Sequence, residues 1–301
     1  MGRANVKSEQ PEPVPFEVVR RVGEGTVRLA GETAGDGPPL VLLHGLSGTR
    51  RNVLQGSRQL LRLGYRLIAY DARGHGESSP APERRAYEYG DLLGDLSAVL
   101  DHFALERPVL VGSSMGAATA MAWALERPGD VAALVQVTPV YRGPPDPPGG
   151  SDEEGWLPSA DVLEREGIEA YLELSEPSDV PDRWREVARQ ATRQRLERHR
   201  RLDAVADAMR VVPRSTAFDG MARLEHLDVP TLVVGSRDEA DRLHPLSVAQ
   251  EYAARIPGAE LVVEDEGESP LAWRGAQLSR AIARFLERAL PGGPPAGAAQ
   301  T

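Results

Sequence analysis

Six stretches of this chain are almost continuously apolar over the length of one strand: PLVLLHG (39–45), YRLIAYD (65–71), PVLVGSS (108–114), AALVQVT (132–138), PTLVVGS (230–236) and AELVVED (259–265). A strand with one face in water alternates apolar and polar residues. Continuous runs therefore belong to strands covered on both sides. Between them lie segments with helical spacing, at 50–63, 89–103, 115–127, 246–255 and 275–290. Residues 89–103, for instance, set Leu92, Leu93, Leu96, Val99, Leu100 and Phe103 on one side. Strand alternating with helix in this way gives an α/β fold, a mostly parallel sheet flanked by helices. Two earlier runs, FEVVRRV (16–22) and TVRLAGE (26–32), are broken by Gly23 and Gly25 and read as an opening hairpin.

One stretch departs from the alternation. From Tyr141 to about Asp228 the pattern holds no strand, only a Pro/Gly-rich link (RGPPDPPGG) and helical spacing over 159–174 and 181–212. That is too long for a crossover, so residues 141–228 are expected to form a helical cap on a core of 16–140 and 229–290. Residues 1–15 read as a flexible leader and 291–301 as a disordered tail.

Composition excludes several classes. The 301 residues include no cysteine, which removes disulfides, thiolate metal sites and cysteine nucleophiles together. A net charge of -10 argues against nucleic acid as a partner. No segment approaches the roughly 18 uninterrupted apolar residues of a membrane span, and the amino terminus lacks a secretory pattern. The expected location is cytoplasmic, with no membrane partner, and oligomeric state is left open. No phosphate loop, dinucleotide fingerprint or metal-spaced cluster occurs, so no cofactor and no metal are implied. Residues Arg183–Arg201 hold eight arginines and two glutamates, which reads as a solvated helix face rather than an anion site.

The most informative residues are Gly112-Ser113-Ser114-Met115-Gly116, a G-x-S-x-G placed directly after a strand and before a helix rich in small residues. A sharp strand-to-helix turn lifts the central Ser114 hydroxyl above the sheet, and the helix N-terminus favours a developing oxyanion. The alternative is a plain small-residue turn; the strand–turn–helix context argues for the elbow. His44-Gly45-Leu46-Ser47-Gly48 ends another strand, where such a loop can aim a second backbone N–H at the same oxygen. His44 is expected to order that loop rather than transfer protons. Tyr70-Asp71-Ala72-Arg73-Gly74-His75-Gly76-Glu77-Ser78 is a glycine-rich turn with a shaping role, so His75 is not a candidate base.

In this order the motifs resemble the α/β-hydrolase superfamily, over roughly residues 16–290. The resemblance implies a mostly parallel eight-stranded sheet under a helical cap, Ser114 as nucleophile, and Leu46 and Met115 as oxyanion donors, with His44 and Gly45 supporting the loop. The family's acid lies beyond the strand PTLVVGS. Counting from that strand favours Asp238, while the Asp-x-x-His-Pro exit resembles members whose acid would be Asp241, the preferred choice. The family's histidine follows the last strand, but here the sequence reads Gly267-Glu268-Ser269-Pro270. Glu268 stands where the base belongs.

That substitution matters because a serine hydroxyl needs a base suited to neutral pH. Three readings compete. Glu268 serves as an unconventional base with Asp241 or Asp238; His244 from the acid loop, or His199 from the cap, replaces the imidazole; or the site has lost its chemistry and the fold binds a ligand. The expected activity is hydrolysis of an ester, lactone or related acyl bond in a small apolar molecule. The alternative is a catalytically degenerate binding protein.

Overall fold

The structure is a computed structural model and describes residues 11–144, 156–175, 180–265, 273–290 and 292. Its strands are β1 (Val14–Val22), β2 (Gly25–Ala34), β3 (Pro39–Leu43), β4 (Arg66–Tyr70), β5 (Val109–Ser113), β6 (Ala133–Val137), β7 (Thr231–Gly235) and β8 (Glu260–Val263). They form one eight-stranded sheet in the order β1-β2-β4-β3-β5-β6-β7-β8. The β1–β2 hairpin and the β2–β4 pair are antiparallel, and every pair from β4 to β8 is parallel. The opening strand starts at Val14, inside the stretch read as leader.

The continuous apolar runs have the expected cause. Along β3, Leu40 and Leu42 face α1 (Gln59–Arg62) and α9 (Gly275–Ala289), where they meet Leu60, Leu61, Leu278 and Ile282. Val41 and Leu43 point the other way, toward α2 (Tyr89–His102), α3 (Met115–Glu126) and α8 (Leu246–Arg255), and join Leu96, Val99, Met121 and Tyr252. Each buried Val or Leu contributes about 1.5–3 kcal/mol, so both faces of the sheet must be apolar.

One expected helix is largely missing. Over 50–63 only Gln59–Arg62 is helical, and residues 50–56 form turns. Gln55 takes a left-handed φ of 48°, which a helix cannot accommodate. The Asn52 side chain accepts from the Thr49 N–H at 2.8 Å and so competes with helical hydrogen bonding.

Among the described residues, 141–228 carry α4 (Trp156–Glu166), α5 (Ile168–Leu174), α6 (Asp182–Leu196) and α7 (Leu202–Val211), and no strand. They share a small core of Ala160, Leu163, Tyr171, Leu172, Leu196, Val205 and Met209, against which Leu46 from the core also packs.

Candidate active site

Ser114 joins β5 to α3 with its backbone at φ 51° and ψ -112°. An L residue rarely adopts that conformation, so its surroundings must hold it. The Ser114 N–H donates to the Val137 carbonyl at 3.1 Å, and its carbonyl accepts from the Ala118 N–H at 3.0 Å. The helix is drawn close to the sheet. A Cβ on Gly112 would lie 2.2 Å from the Gly116 carbonyl oxygen, and one on Gly116 would lie 2.2 Å from that of Leu43. Both positions require glycine for close approach. Ser114 itself is half-buried, not sealed under neighbours.

Beside it, the loop after β3 holds Leu46. Among the described residues, neither the Leu46 N–H nor the Met115 N–H has a hydrogen-bond acceptor within the protein. Ser47, the next residue, is left-handed at φ 60°. Its conformation is fixed from two sides: its N–H donates to His75 Nε2 at 3.3 Å, and its carbonyl accepts from His199 Nε2–H at 2.9 Å.

Three histidines thus form a buried ladder, His44 to His75 at 5.1 Å and His75 to His199 at 5.5 Å between ring centroids. Each ring uses one nitrogen as donor and one as acceptor. His44 Nδ1–H donates to the Gly45 carbonyl while Nε2 accepts from the Ala72 N–H, both at 2.8 Å. His75 Nδ1–H donates to the Arg73 carbonyl at 2.9 Å. His199 Nδ1 accepts from the Gly76 N–H at 2.8 Å. A second proton on any ring would face an N–H donor, so the set is built neutral. Burial, the largest influence on each, pushes all three below the ordinary histidine value, His199 to about 4.

These contacts support the shaping roles read for His44 and His75. They also correct one expectation: His199 does reach down from the cap, but both its nitrogens are held by backbone, so it cannot serve as the base. The turn after β4 is braced separately. The buried Asp71 carboxylate accepts from the Arg50 N–H at 2.7 Å, the Glu77 N–H at 3.0 Å and the Arg50 guanidinium. Fully buried Arg73 clamps Asp95 of α2 through Nε and Nη2, each at 2.7 Å.

The loop expected to carry the acid follows β7, two strands from Ser114. Register links Ser113 to Val137, and Val137 to Val234. Two strand spacings, about 10 Å, separate the start of that loop from the serine. Asp238 is buried, and its Oδ1 accepts from the Ala240 N–H at 2.9 Å, a local turn that shapes the loop. Asp241 takes His244 Nδ1–H on both carboxylate oxygens, at 2.6 and 2.7 Å. Burial would raise the Asp241 pKa, but the His244 hydrogen bond and charge, together with the Arg195 charge, outweigh it and hold Asp241 below the usual carboxylate range. Asp241 therefore stays ionised and holds the Nδ1 proton of His244, an arrangement in which Nε2 is the acceptor whenever the imidazole is neutral.

The other two histidines lie elsewhere. Exposed His102 stacks on Phe16 and meets Phe103 ahead of β5, and exposed His226 precedes β7. Both therefore sit at the edge of the sheet opposite the serine. Glu268 lies outside the described residues.

One site residue escaped the sequence reading. Glu264, at the end of β8, is buried with its Oε1 accepting from the Ser236 hydroxyl and the Arg237 N–H, the latter at 2.6 Å. It ties the β8 end to the acid loop. A charged residue directly continuing an apolar strand was the available signal. Among the described residues, no three His, Asp or Glu side chains could together hold a metal, and no helix is long and apolar enough to cross a membrane.

Residues 38–159 match the family model described as alpha/beta hydrolase fold. Over 287 residues the chain is 30% identical to the 2-hydroxy-6-oxononadienedioate/2-hydroxy-6-oxononatrienedioate hydrolase 2 of Pseudomonas putida, covering 89% of this chain and 94% of that one. A thermophilic esterase from Thermogutta terrifontis, solved with malate bound, shares the fold at TM-score 0.71 and 24% identity, covering 92% of this chain and 99% of the other. Est816, solved as an N-acyl homoserine lactone degrading enzyme, gives TM-score 0.66 at 25% identity, covering 91% of this chain and all (100%) of the other.

Proposed function

The chain belongs to the α/β-hydrolase family, and from that premise we propose that it is a serine hydrolase cleaving an ester, lactone or related acyl bond of a small molecule. Ser114 Oγ attacks the acyl carbonyl, and the Leu46 and Met115 N–H groups hold the oxyanion. His244 Nε2 takes the serine proton and gives it to the leaving oxygen. Water, deprotonated by the same nitrogen, then adds to the acyl-enzyme and releases the acid with regeneration of Ser114. Asp241 keeps the imidazole in the working tautomer.

The observation that carries this reading is the pairing of a strained, half-buried Ser114 with unpartnered amides at Leu46 and Met115. The base assignment rests on elimination. Of the six histidines, His44, His75 and His199 have both nitrogens occupied, and His102 and His226 flank the far edge of the sheet. His244, next to the same sheet edge as Ser114, has a carboxylate on Nδ1. Relatives whose names state hydrolase, esterase or lactone-degrading activity support the reaction class. The cap over 141–228 would then cover the cleft and select substrate.

A fluorophosphonate probe tests the nucleophile: labelling that disappears in Ser114→Ala supports it, and no labelling between pH 5 and 9 makes the protein a binder. Comparing His244→Ala with Glu268→Gln tests the base. The reading expects turnover to collapse in the first and persist in the second. The reverse result assigns the base to Glu268.

A further inference from the structure

The cap helix α6 is strapped across the cleft. At its N-terminal end, Arg183 pairs with Glu239 of the acid loop at 2.8 Å. Just beyond its C-terminal end, His199 holds the Ser47 carbonyl, and Arg200 donates its N–H to the Gly76 carbonyl at 3.1 Å and pairs with Glu77 at 3.0 Å. The 15 residues between span about 22 Å, from the acid loop to the loop bearing the oxyanion donors.

The faces of α6 sort by burial. Arg189 and Arg193 turn toward α5, where Glu169 pairs with them at 3.7 and 2.6 Å. Glu186, Val187, Gln190 and Gln194 are exposed. What remains is a half-buried stripe at i, i+4, i+7 and i+11: Trp184, Ala188, Ala191 and Arg195. Each of the four is partly covered, on a helix tied near its ends to the loops after β7 and β3, so this is the stripe available to line the space between those loops.

Arg195 is the unusual member. Arg183, Arg185, Arg189, Arg193, Arg200, Arg201 and Arg210 of the cap all have carboxylate partners. Among the described residues no carboxylate lies within 4 Å of Arg195; its Nε is buried without a hydrogen bond, and Nη2 reaches only the Thr192 hydroxyl at 3.4 Å. Its charge nevertheless adds to the lowering of both Asp241 and His199, so the guanidinium is within electrostatic reach of each. A half-buried cation with no carboxylate in contact leaves its hydrogen-bonding capacity open to an incoming anion. A planar guanidinium is suited to bind a carboxylate through two parallel hydrogen bonds.

We propose that Arg195 is a specificity residue that receives a carboxylate carried by the substrate at the end remote from the scissile bond, with the small apolar body of the molecule lying along Ala188, Ala191 and Trp184. The substrate class is thus the half-ester or acyl derivative of a short dicarboxylic acid, and this rests on the serine hydrolase reading above.

The test compares 4-nitrophenyl hydrogen glutarate with its neutral methyl ester. The wild type is expected to favour the anionic ester in kcat/KM, mainly through KM, by about 10- to 100-fold, the range of a charge-assisted hydrogen-bonded pair. Arg195→Met is expected to erase that preference, Arg195→Lys to keep part of it, and Arg198→Met, an exposed neighbour, to keep all of it. A wild type without the preference, or an Arg195→Met enzyme that retains it, overturns the proposal. Calorimetric titration of glutarate into Ser114→Ala and into the double variant with Arg195→Met separates this from the hydrolase reading. If neither ester turns over but glutarate binds in an Arg195-dependent manner, the chemistry fails and the anion site stands. If both esters turn over alike and glutarate does not bind, the anion site fails and the hydrolase stands.

Discussion

Acidification reports on how the cap is fastened. His199 joins the helical segment 141–228 to the loop after β3, and its ring is neutral by construction: Nδ1 accepts from Gly76 and Nε2–H donates to Ser47. Burial lowers its pKa most; the Ser47 carbonyl and Asp71 push it up, His44 and Arg195 push it down, and the result is about 4 against an ordinary 6.5. The unfolded chain therefore binds the proton more tightly than the folded one. The contribution is fully present above pH 6.5, is lost as pH falls toward 4, and is constant below that. The complete loss is about 3 kcal/mol, and between pH 8 and 5 it is about 2 kcal/mol. For a chain of this size that corresponds to a fall of about 4–8 °C in Tm. The assay is thermal and urea unfolding at pH 8 and pH 5 for wild type and His199→Gln, whose amide can accept and donate as the imidazole does. Groups that do not sense the His199 charge titrate alike in both proteins and cancel in the difference; the neighbouring His75 does sense it, which makes the difference a value for His199 with its coupling to His75. The variant is expected to lose about 2 kcal/mol less than the wild type between the two pH values. Equal losses would refute a neutral, doubly held His199.

Gly116→Ala forces a Cβ to within 2.2 Å of the Leu43 carbonyl oxygen, so loss of about 1–3 kcal/mol or more in urea unfolding is expected, while Gly129→Ala, with nothing within 4 Å, is neutral. Arg73→Met strands the buried Asp95 carboxylate with only Arg20 as partner, and a loss of about 3–5 kcal/mol by the same measurement is expected, partly recovered in Arg73→Met with Asp95→Leu. Asp241→Asn keeps the shape of the acid loop but removes the charge that selects the His244 tautomer; kcat is expected to fall about 10³- to 10⁴-fold, with the labelling rate of Ser114 falling in parallel.

The sheet was legible because its central parallel strands, β3 to β7, are sandwiched; edge strand β8, with Leu261 exposed, is not. Leu40 and Leu42 need one helical layer and Val41 and Leu43 the other, so the run carries its own signature. The elbow was legible for a similar reason: close approach of backbone to backbone at Gly112 and Gly116 leaves glycine in the sequence. The segment 50–63 misled because its decisive contact is remote. Arg50 commits its N–H and guanidinium to Asp71, 21 residues on, and no local periodicity reveals that. His199 was singled out as a residue that reaches the core, yet its role depends on which atoms meet it there. Gly76 and Ser47 lie more than 120 residues away in sequence, and only the docked cap shows that they consume both nitrogens.

The ladder of imidazoles and the acid loop together constrain how general-base chemistry can arise here. Keeping His44, His75 and His199 neutral and doubly bonded stabilises the left-handed Ser47 and so the position of the Leu46 amide, and it withdraws three imidazoles from proton transfer. The proposed base, His244, comes instead from the loop after β7. The last strand ends in Glu264, whose carboxylate is committed to Ser236 and Arg237 of the acid loop. That contact positions the start of the loop after β7. An Asp–His pair three residues apart within such a loop carries its own orienting carboxylate, so it needs no second loop to set its tautomer.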